Sequence, residues 1–206
     1  MMFKSIIIQR DGVMEKKKRG LLIILSGPSG VGKGTVRDRF IHREELNLTF
    51  SISMTTREKR PGEQDGVDYY FVSREDFEEA LKNDELLEYA EFVGNYYGTP
   101  LKEVDRLRDQ GKNVLLEIEV QGALQVIEKV PDALSIFLVP PSMEELKRRI
   151  VNRRTESEEV INERLSKAAK EMELMNQYRY VICNEDPDFA ADMVSLIIRR
   201  NIEATL

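Results

Sequence analysis

The 206 residues contain one cysteine, one histidine and no tryptophan. A lone Cys183 cannot close an internal disulfide, so nothing in the cysteine usage calls for an oxidising compartment. At a strand end it reads as a small buried hydrophobe. His42, on an expected helix with no serine or cysteine partner suggested beside it, receives no catalytic role. Long apolar runs are missing as well. The longest, LLIIL at 21–25, is far short of the roughly 20 residues that span a bilayer. The start of the chain, with Lys4 and a short apolar 6–8, lacks the apolar region and small-residue cleavage site of an export signal. There is no basic excess either. A formal net charge of −6 argues against a general nucleic-acid binder, although local arginine clusters can still hold a small anion. The expectation is a cytoplasmic protein with no membrane or nucleic-acid partner, working as a monomer or small homo-oligomer.

What is present suits one well-buried core with a smaller lobe grafted onto it: 41% of residues are hydrophobic and 33% charged. LLIILS (21–26), NVLLEIE (113–119) and LSIFLV (134–139) are continuous apolar runs, as expected of parallel strands buried on both faces, and 180–183 reads as a fourth. Helices are expected near 33–45, over 100–110 with Gly111 as its stop, and after capping-box patterns at Ser142 and Thr155. Asp188 is the expected cap of a last helix running through Ile198. Alternation of this kind predicts an α/β fold, a parallel sheet flanked by helices. Residues 51–98 break the rhythm with β-prone pieces, glycines and one helix over 74–83 capped by Ser73. They read as an inserted lobe, being too long for a connection. Residues 1–13 read as a flexible extension or a start misplaced ahead of Met14, with an extra strand at 5–9 as the alternative.

The sharpest motif is Gly27, Pro28, Ser29, Gly30, Val31, Gly32, Lys33, Gly34, Thr35, set between a buried strand and a helix as a P-loop requires. Its glycines let successive N–H groups face phosphate oxygens, and Lys33 reaches the β- and γ-phosphates of a nucleoside triphosphate. Gly34 stands where such loops carry Ser or Thr, and the hydroxyl arrives one residue later at Thr35. Mg²⁺ is therefore expected to be held mainly by phosphates and waters. Glu117, late in its strand, has two readings: a carboxylate orienting the Mg²⁺ hydration shell, or the partner of a neighbouring basic residue.

A second cluster lies in the lobe. Arg57 and Arg60 can converge on a phosphate if a turn at Pro61 and Gly62 brings their guanidinium forks together. DYYF at 68–71 and NYYGT at 95–99 add hydroxyl donors.

Taken in order, GPSGVGKGT, SISMTTREKRPGE with the following DYYF, LLEYAEFVGNYYGT, LLEIEVQG and NRRTESEEVINERL resemble the guanylate kinase family, from about Leu21 to the C-terminus. The resemblance implies transfer of a phosphoryl group from ATP to GMP, with Mg²⁺ as the cofactor and dGMP as a further candidate acceptor. It implies that Arg57, Arg60, Tyr69 and Tyr97 grip the GMP phosphate, and that Ser53, Glu88, Thr99 and Glu119 contact the base. Guanine presents adjacent N1–H and N2–H₂ donors, and a carboxylate is an acceptor-only partner, so such a pocket favours GMP over AMP. Glu119 stands where the family has Asp. The resemblance further implies that Arg149, Arg153 and Arg164 are lid arginines, Arg149 toward ATP and the other two toward the transferring phosphoryl group. Arg154 replaces a family glycine. Asn184 resembles the family's adenine-contacting position and reads equally well as a structural residue. The implied organisation is an extension at 1–19, a core at 20–50, 100–140 and 171–206, a GMP-binding lobe at 51–99 and a lid at 141–170. An adenylate kinase, a ribose bisphosphate kinase and a non-catalytic binding module of the same fold are the rival readings.

Overall fold

The computed structural model describes residues 18–92, 94–151 and 158–204. Nine strands and seven α-helices are seen among them. In chain order these are β1 (Leu22–Ser26), α1 (Lys33–Arg37), β2 (Leu48–Phe50), β3 (Met54–Thr55), β4 (Tyr70–Phe71), α2 (Arg74–Lys82), β5 (Leu86–Phe92), β6 (Asn95–Pro100), α3 (Leu101–Asp109), β7 (Asn113–Glu117), α4 (Val120–Lys129), β8 (Leu134–Val139), α5 (Met143–Val151), α6 (Glu158–Met172), β9 (Tyr180–Cys183) and α7 (Pro187–Ala204). The expectations at 1–13, the strand at 5–9, Arg153, Arg154 and the capping box at Thr155 lie outside the described residues.

Five parallel strands form the core sheet in the order β2-β7-β1-β8-β9. The strand over 48–50 adds to the four expected. Along β1 the side chains alternate between two cores. Ile23 and Leu25 pack with Val36 and Phe40 and with Ala190, Val194 and Ile198 of α7. Leu22 and Ile24 face Val104 of α3 and Val120, Ala123 and Val126 of α4. Burial on both faces is why these strands read as unbroken apolar runs.

Several local expectations are corrected. The helix at 33–45 is regular only to Arg37. Beyond it, Arg39, Phe40 and Arg43 N–H groups bond three residues back, and His42 sits in a turn. β7 stops at Glu117 rather than Glu119, because Glu119 is already extended backbone capping α4, its carbonyl accepting from Ala123 N at 2.9 Å. The cap of α7 is Asp186, whose Oδ1 accepts from the N–H groups of Asp188 and Phe189 at 2.8 and 2.9 Å. Pro187 occupies the first helical position, where its missing N–H costs nothing. Cys183 is exposed, because β9 is an edge strand that turns only Ile182 inward. Ser73 and Ser142 cap α2 and α5 as expected, accepting from the N–H groups of Asp76 and Glu145.

The inserted lobe is a second, mostly antiparallel sheet in the order β4-β3-β6-β5. α2 covers it, with Phe77 fully buried and stacked on Tyr96 at 5.2 Å. β5 is an edge strand, and α4 covers that edge. Gln125 accepts from Tyr89 N at 3.1 Å and donates to Tyr89 O at 3.0 Å, copying the ladder of a neighbouring strand. Helices α5 and α6 pack through Leu146, Ile150 and Ala168. α6 continues unbroken through Met172, so the expected lid boundary at 170 falls inside it.

Candidate active site

Strands β1, β2, β7 and β9 all point their C-terminal ends the same way, and the residues expected to bind substrate follow those ends. In open parallel sheets this is where ligands lie. The P-loop leaves β1, Ser51 to Ser53 leave β2, Ile118 and Glu119 leave β7, and Asn184 leaves β9.

The P-loop borders a cavity of about 380 Å³ lined by Gly27, Ser29, Gly30, Gly32, Lys33, Gly34, Thr35, Glu117, Ile118, Glu119 and Glu171. Gly32 has φ 97°, and a Cβ there would lie 2.8 Å from Asn184 Nδ2, so a side chain at this position would be strained and would displace the Asn184 amide. Lys33 folds back to donate to the carbonyls of Gly27 and Pro28 at 2.6 and 3.3 Å. Burial lowers its pKa, opposed by the charges of Glu117, Glu171 and Glu119.

Asn184 is 1% exposed and donates to Val31 O at 2.8 Å. Its buried Oδ1 has no partner among the described residues. Arg149 braces the same loop, donating to Glu145 at 2.8 Å, Val31 O at 3.2 Å and Asn184 O at 3.0 Å. Arg148 and Arg149 together hold Glu145 down at about 2. Arg164 reaches in from α6 to Ser29 Oγ at 2.9 Å.

A second cavity of about 360 Å³ contains Ser53, Tyr69, Glu88, Tyr97, Gly98, Glu119, Gly122 and Lys167, and shares Glu117, Ile118 and Glu119 with the first. Glu88 projects from β5 opposite Thr99 of β6, whose hydroxyl donates to it at 2.6 Å. It is 7% exposed, and burial pushes its carboxyl above the usual range against the pull of that hydrogen bond. A Cβ on Gly122 would lie 2.5 Å from Glu88 Oε2, so the glycine of the EVQG run makes room for this carboxylate. Glu119 lines the same cavity, but its side chain is 60% exposed and pairs with Lys167 at 2.9 Å.

Arg57 and Tyr69 come together as expected. The Arg57 guanidinium lies 5.5 Å from the Tyr69 ring centre and 5.7 Å from that of Phe71, and the Tyr97 ring meets that of Tyr69 at 6.1 Å. Arg60 is exposed beside them. Sequence reasoning missed Glu63, which accepts from Arg57 at 2.8 and 3.1 Å and from the backbone N–H of Arg60 at 2.8 Å. The Arg57 bonds and then that N–H hold Glu63 below the usual carboxylate range. Its signal was the REKRPGE spacing, which sets a carboxylate six residues after the arginine across a turn. Glu171, Lys167 and Arg37 were missed too, because each reaches the site only through tertiary packing.

Glu117 takes the second of its two readings in this conformation, pairing with Arg37 at 2.6 Å. Its position beside Thr35 nevertheless gives the P-loop cavity hard oxygen donors of the kind Mg²⁺ accepts.

A P-loop at the end of a central parallel strand, facing a separate lobe with an arginine cluster and a buried carboxylate, defines a phosphotransferase with distinct donor and acceptor sites. Residues 19–201 match the family model described as guanylate kinase. The chain is 58% identical over 182 residues to the guanylate kinase of Lactococcus lactis subsp. lactis, covering 88% of each protein. It is 54% identical over 183 residues to that of Bacillus cereus, covering 89% of each. The crystal structure of guanylate kinase from Anaplasma phagocytophilum superposes with a TM-score of 0.66 at 40% identity, over 90% of this chain and 87% of that one. The chain belongs to the guanylate kinase family. Among the described residues no helix is long and apolar enough to cross a membrane.

Proposed function

We propose that this chain transfers the γ-phosphoryl group of ATP to the phosphate of GMP, giving ADP and GDP. One observation carries the reading: the P-loop cavity and the cavity holding the buried Glu88 share one wall of Glu117, Ile118 and Glu119. Two nucleotides bound there would meet phosphate to phosphate.

The acceptor needs no protein base, since a phosphate monoester with a second pKa near 6 is already mostly a dianion at neutral pH. The chain's work is positioning and charge. Glu88 accepts from the guanine edge, and Ser53 and Thr99 complete that contact. Arg57, Arg60, Tyr69 and Tyr97 hold the acceptor phosphate, with Glu63 fixing the fork of Arg57. Lys33 leaves the loop carbonyls to meet the donor phosphates. Arg149, Arg153 and Arg164 belong to the lid that closes over them. The orphaned Oδ1 of Asn184 supplies an acceptor that the adenine amino group would satisfy. Mg²⁺, when bound with ATP, neutralises phosphate charge. Thr35 and Glu117 are the residues that would hold its hydration shell. Lobe and lid closure excludes water and so suppresses hydrolysis of ATP. The cytoplasm, where both nucleotides are used, is the compartment we assign.

The test is ADP release from MgATP with GMP, AMP, CMP and UMP in turn. GMP should exceed AMP by at least about 10²-fold in kcat/KM, because AMP would leave a buried carboxylate facing a lone pair. Preference for another acceptor would overturn the base-pocket assignment while leaving the kinase.

A further inference from the structure

Glu117 lines the P-loop cavity, the Glu88 cavity and a third of about 600 Å³ between core and lobe. That third cavity also holds Ser53 and Tyr69, so on the acceptor reading Glu117 shares a wall with Tyr69, which grips the GMP phosphate. A phosphate dianion and a carboxylate repel, and at 20% side-chain exposure Glu117 is poorly screened by water. Arg37 lines the same cavity and answers that charge. Its Nη1 donates to Glu117 Oε2 at 2.6 Å, its Nε and Nη2 donate to Asp38 at 2.9 and 2.7 Å, and its guanidinium lies 5.6 Å from the Phe50 ring centre.

Two further features fit. The other carboxylate in that wall, Asp68, is turned into its own loop, accepting from Gln64 N at 2.7 Å. A Cβ at Gly34 would lie 3.6 Å from Arg37 Nη2 and 3.7 Å from Glu117 Oε1, so a side chain at that position would grow toward the pair. The glycine that departs from the usual P-loop pattern leaves that space to the pair.

We propose that Arg37 is a positioning residue of the acceptor site: by pairing with Glu117 it cancels the charge that would otherwise repel the GMP phosphate. The inference rests on the GMP reading above. The experiment is calorimetric titration of GMP into the full chain without ATP and with a chelator, so that neither metal nor turnover contributes. R37A should weaken GMP about tenfold, equivalent to ~1.4 kcal/mol, while R37K stays close to the unaltered chain. R37A/E117Q should bind GMP within about twofold of the unaltered chain, because removing both charges leaves the wall as neutral as the pair does. Guanosine, which has no phosphate, should bind R37A and the unaltered chain alike. R37M, which keeps an apolar stem against Phe50, is the second neutral variant should R37A fold poorly. Unchanged GMP affinity in R37A and R37M overturns the proposal. So does a loss in R37A/E117Q as large as that in R37A alone, or a parallel loss of guanosine binding. Failure of the unaltered chain to bind GMP would overturn the acceptor-site reading itself, which separates the two failures.

Discussion

On the proposed reading Glu88 meets two demands that burial sets against each other. Guanine needs an ionised acceptor, yet desolvation favours the protonated acid and raises the pKa, with only the Thr99 hydroxyl pulling it back. The sign follows. Because the folded pKa lies above the unfolded one, the charged form costs stability, with the cost absent below the unfolded pKa and complete above the raised one. Guanine donors lower the pKa again, so binding expels a proton between the bound and free values. GMP affinity should therefore weaken as pH falls through a pKa above the ordinary value of 4.5. E88Q should abolish that proton-linked inflection and weaken GMP at neutral pH by about 10- to 100-fold, the cost of facing an amide donor toward guanine donors. Its thermal stability at pH 7 should not fall. Calorimetry from pH 5 to 8, with guanosine alongside because GMP itself titrates near 6, separates the protein's proton from the ligand's. An inflection that survives in E88Q would place the titrating group elsewhere. Glu88 was legible because the LLEYAEFVGNYYGT run carries the family resemblance, and its Glu88, Tyr97 and Gly98 line one cavity. Arg37 was not, since a charge in a helix carries no mark of which distant carboxylate it will meet, and Glu63 showed only as a carboxylate six residues after Arg57 across a turn.

At the scale of elements, what could be read depended on burial and length. The strands at β1, β7 and β8 were visible because continuous apolar runs need two covered faces, and the edge strand β9 showed only as a short β-prone run. β2, β3 and β4, of three, two and two residues, are too short to show any period, and only their sheet partners define them. The start of α7 shows how two adjacent signals compete. In EDPDF both Asp186 and Asp188 are capable caps, and Asp188 was expected. Proline at the first helical position assigns the cap to the residue before it, and Asp186 holds both N–H groups. D186A should therefore lower stability by about 1 kcal/mol. D188A should cost only a few tenths, since it removes a first-turn carboxylate, 76% exposed and paired with Arg39 at 2.6 Å. Urea unfolding of the two variants decides the order, and equal losses would mean that the cap bonds do not set the entry to α7.

For the whole molecule the question is how a protein of net charge −6 admits two polyanions and brings them together. The answer the architecture offers is uneven attachment of the lobe. Its β5 edge is fastened to α4 by the Gln125 pairing and by Lys129, which donates to Leu86 O at 2.8 Å. The β3 and β4 edge, with Arg57 and Tyr69, lies across the lobe sheet from that attachment and joins the core along the chain by the short run from β2. Closure should therefore swing the arginine edge while β5 stays put. Hydrogen exchange with GMP and a non-hydrolysable ATP analogue plus Mg²⁺ should slow the amides of residues 53–60 about tenfold beyond either ligand alone. The Tyr89 amide, already bonded to Gln125, should not change. Closure shared by two ligands also implies reciprocal coupling: the factor by which the analogue tightens GMP must equal the factor by which GMP tightens the analogue, and about fivefold is expected. Additive protection with no coupling would mean that lobe and core bind their nucleotides independently, and protection at Tyr89 equal to that at 53–60 would mean that the lobe moves as a block.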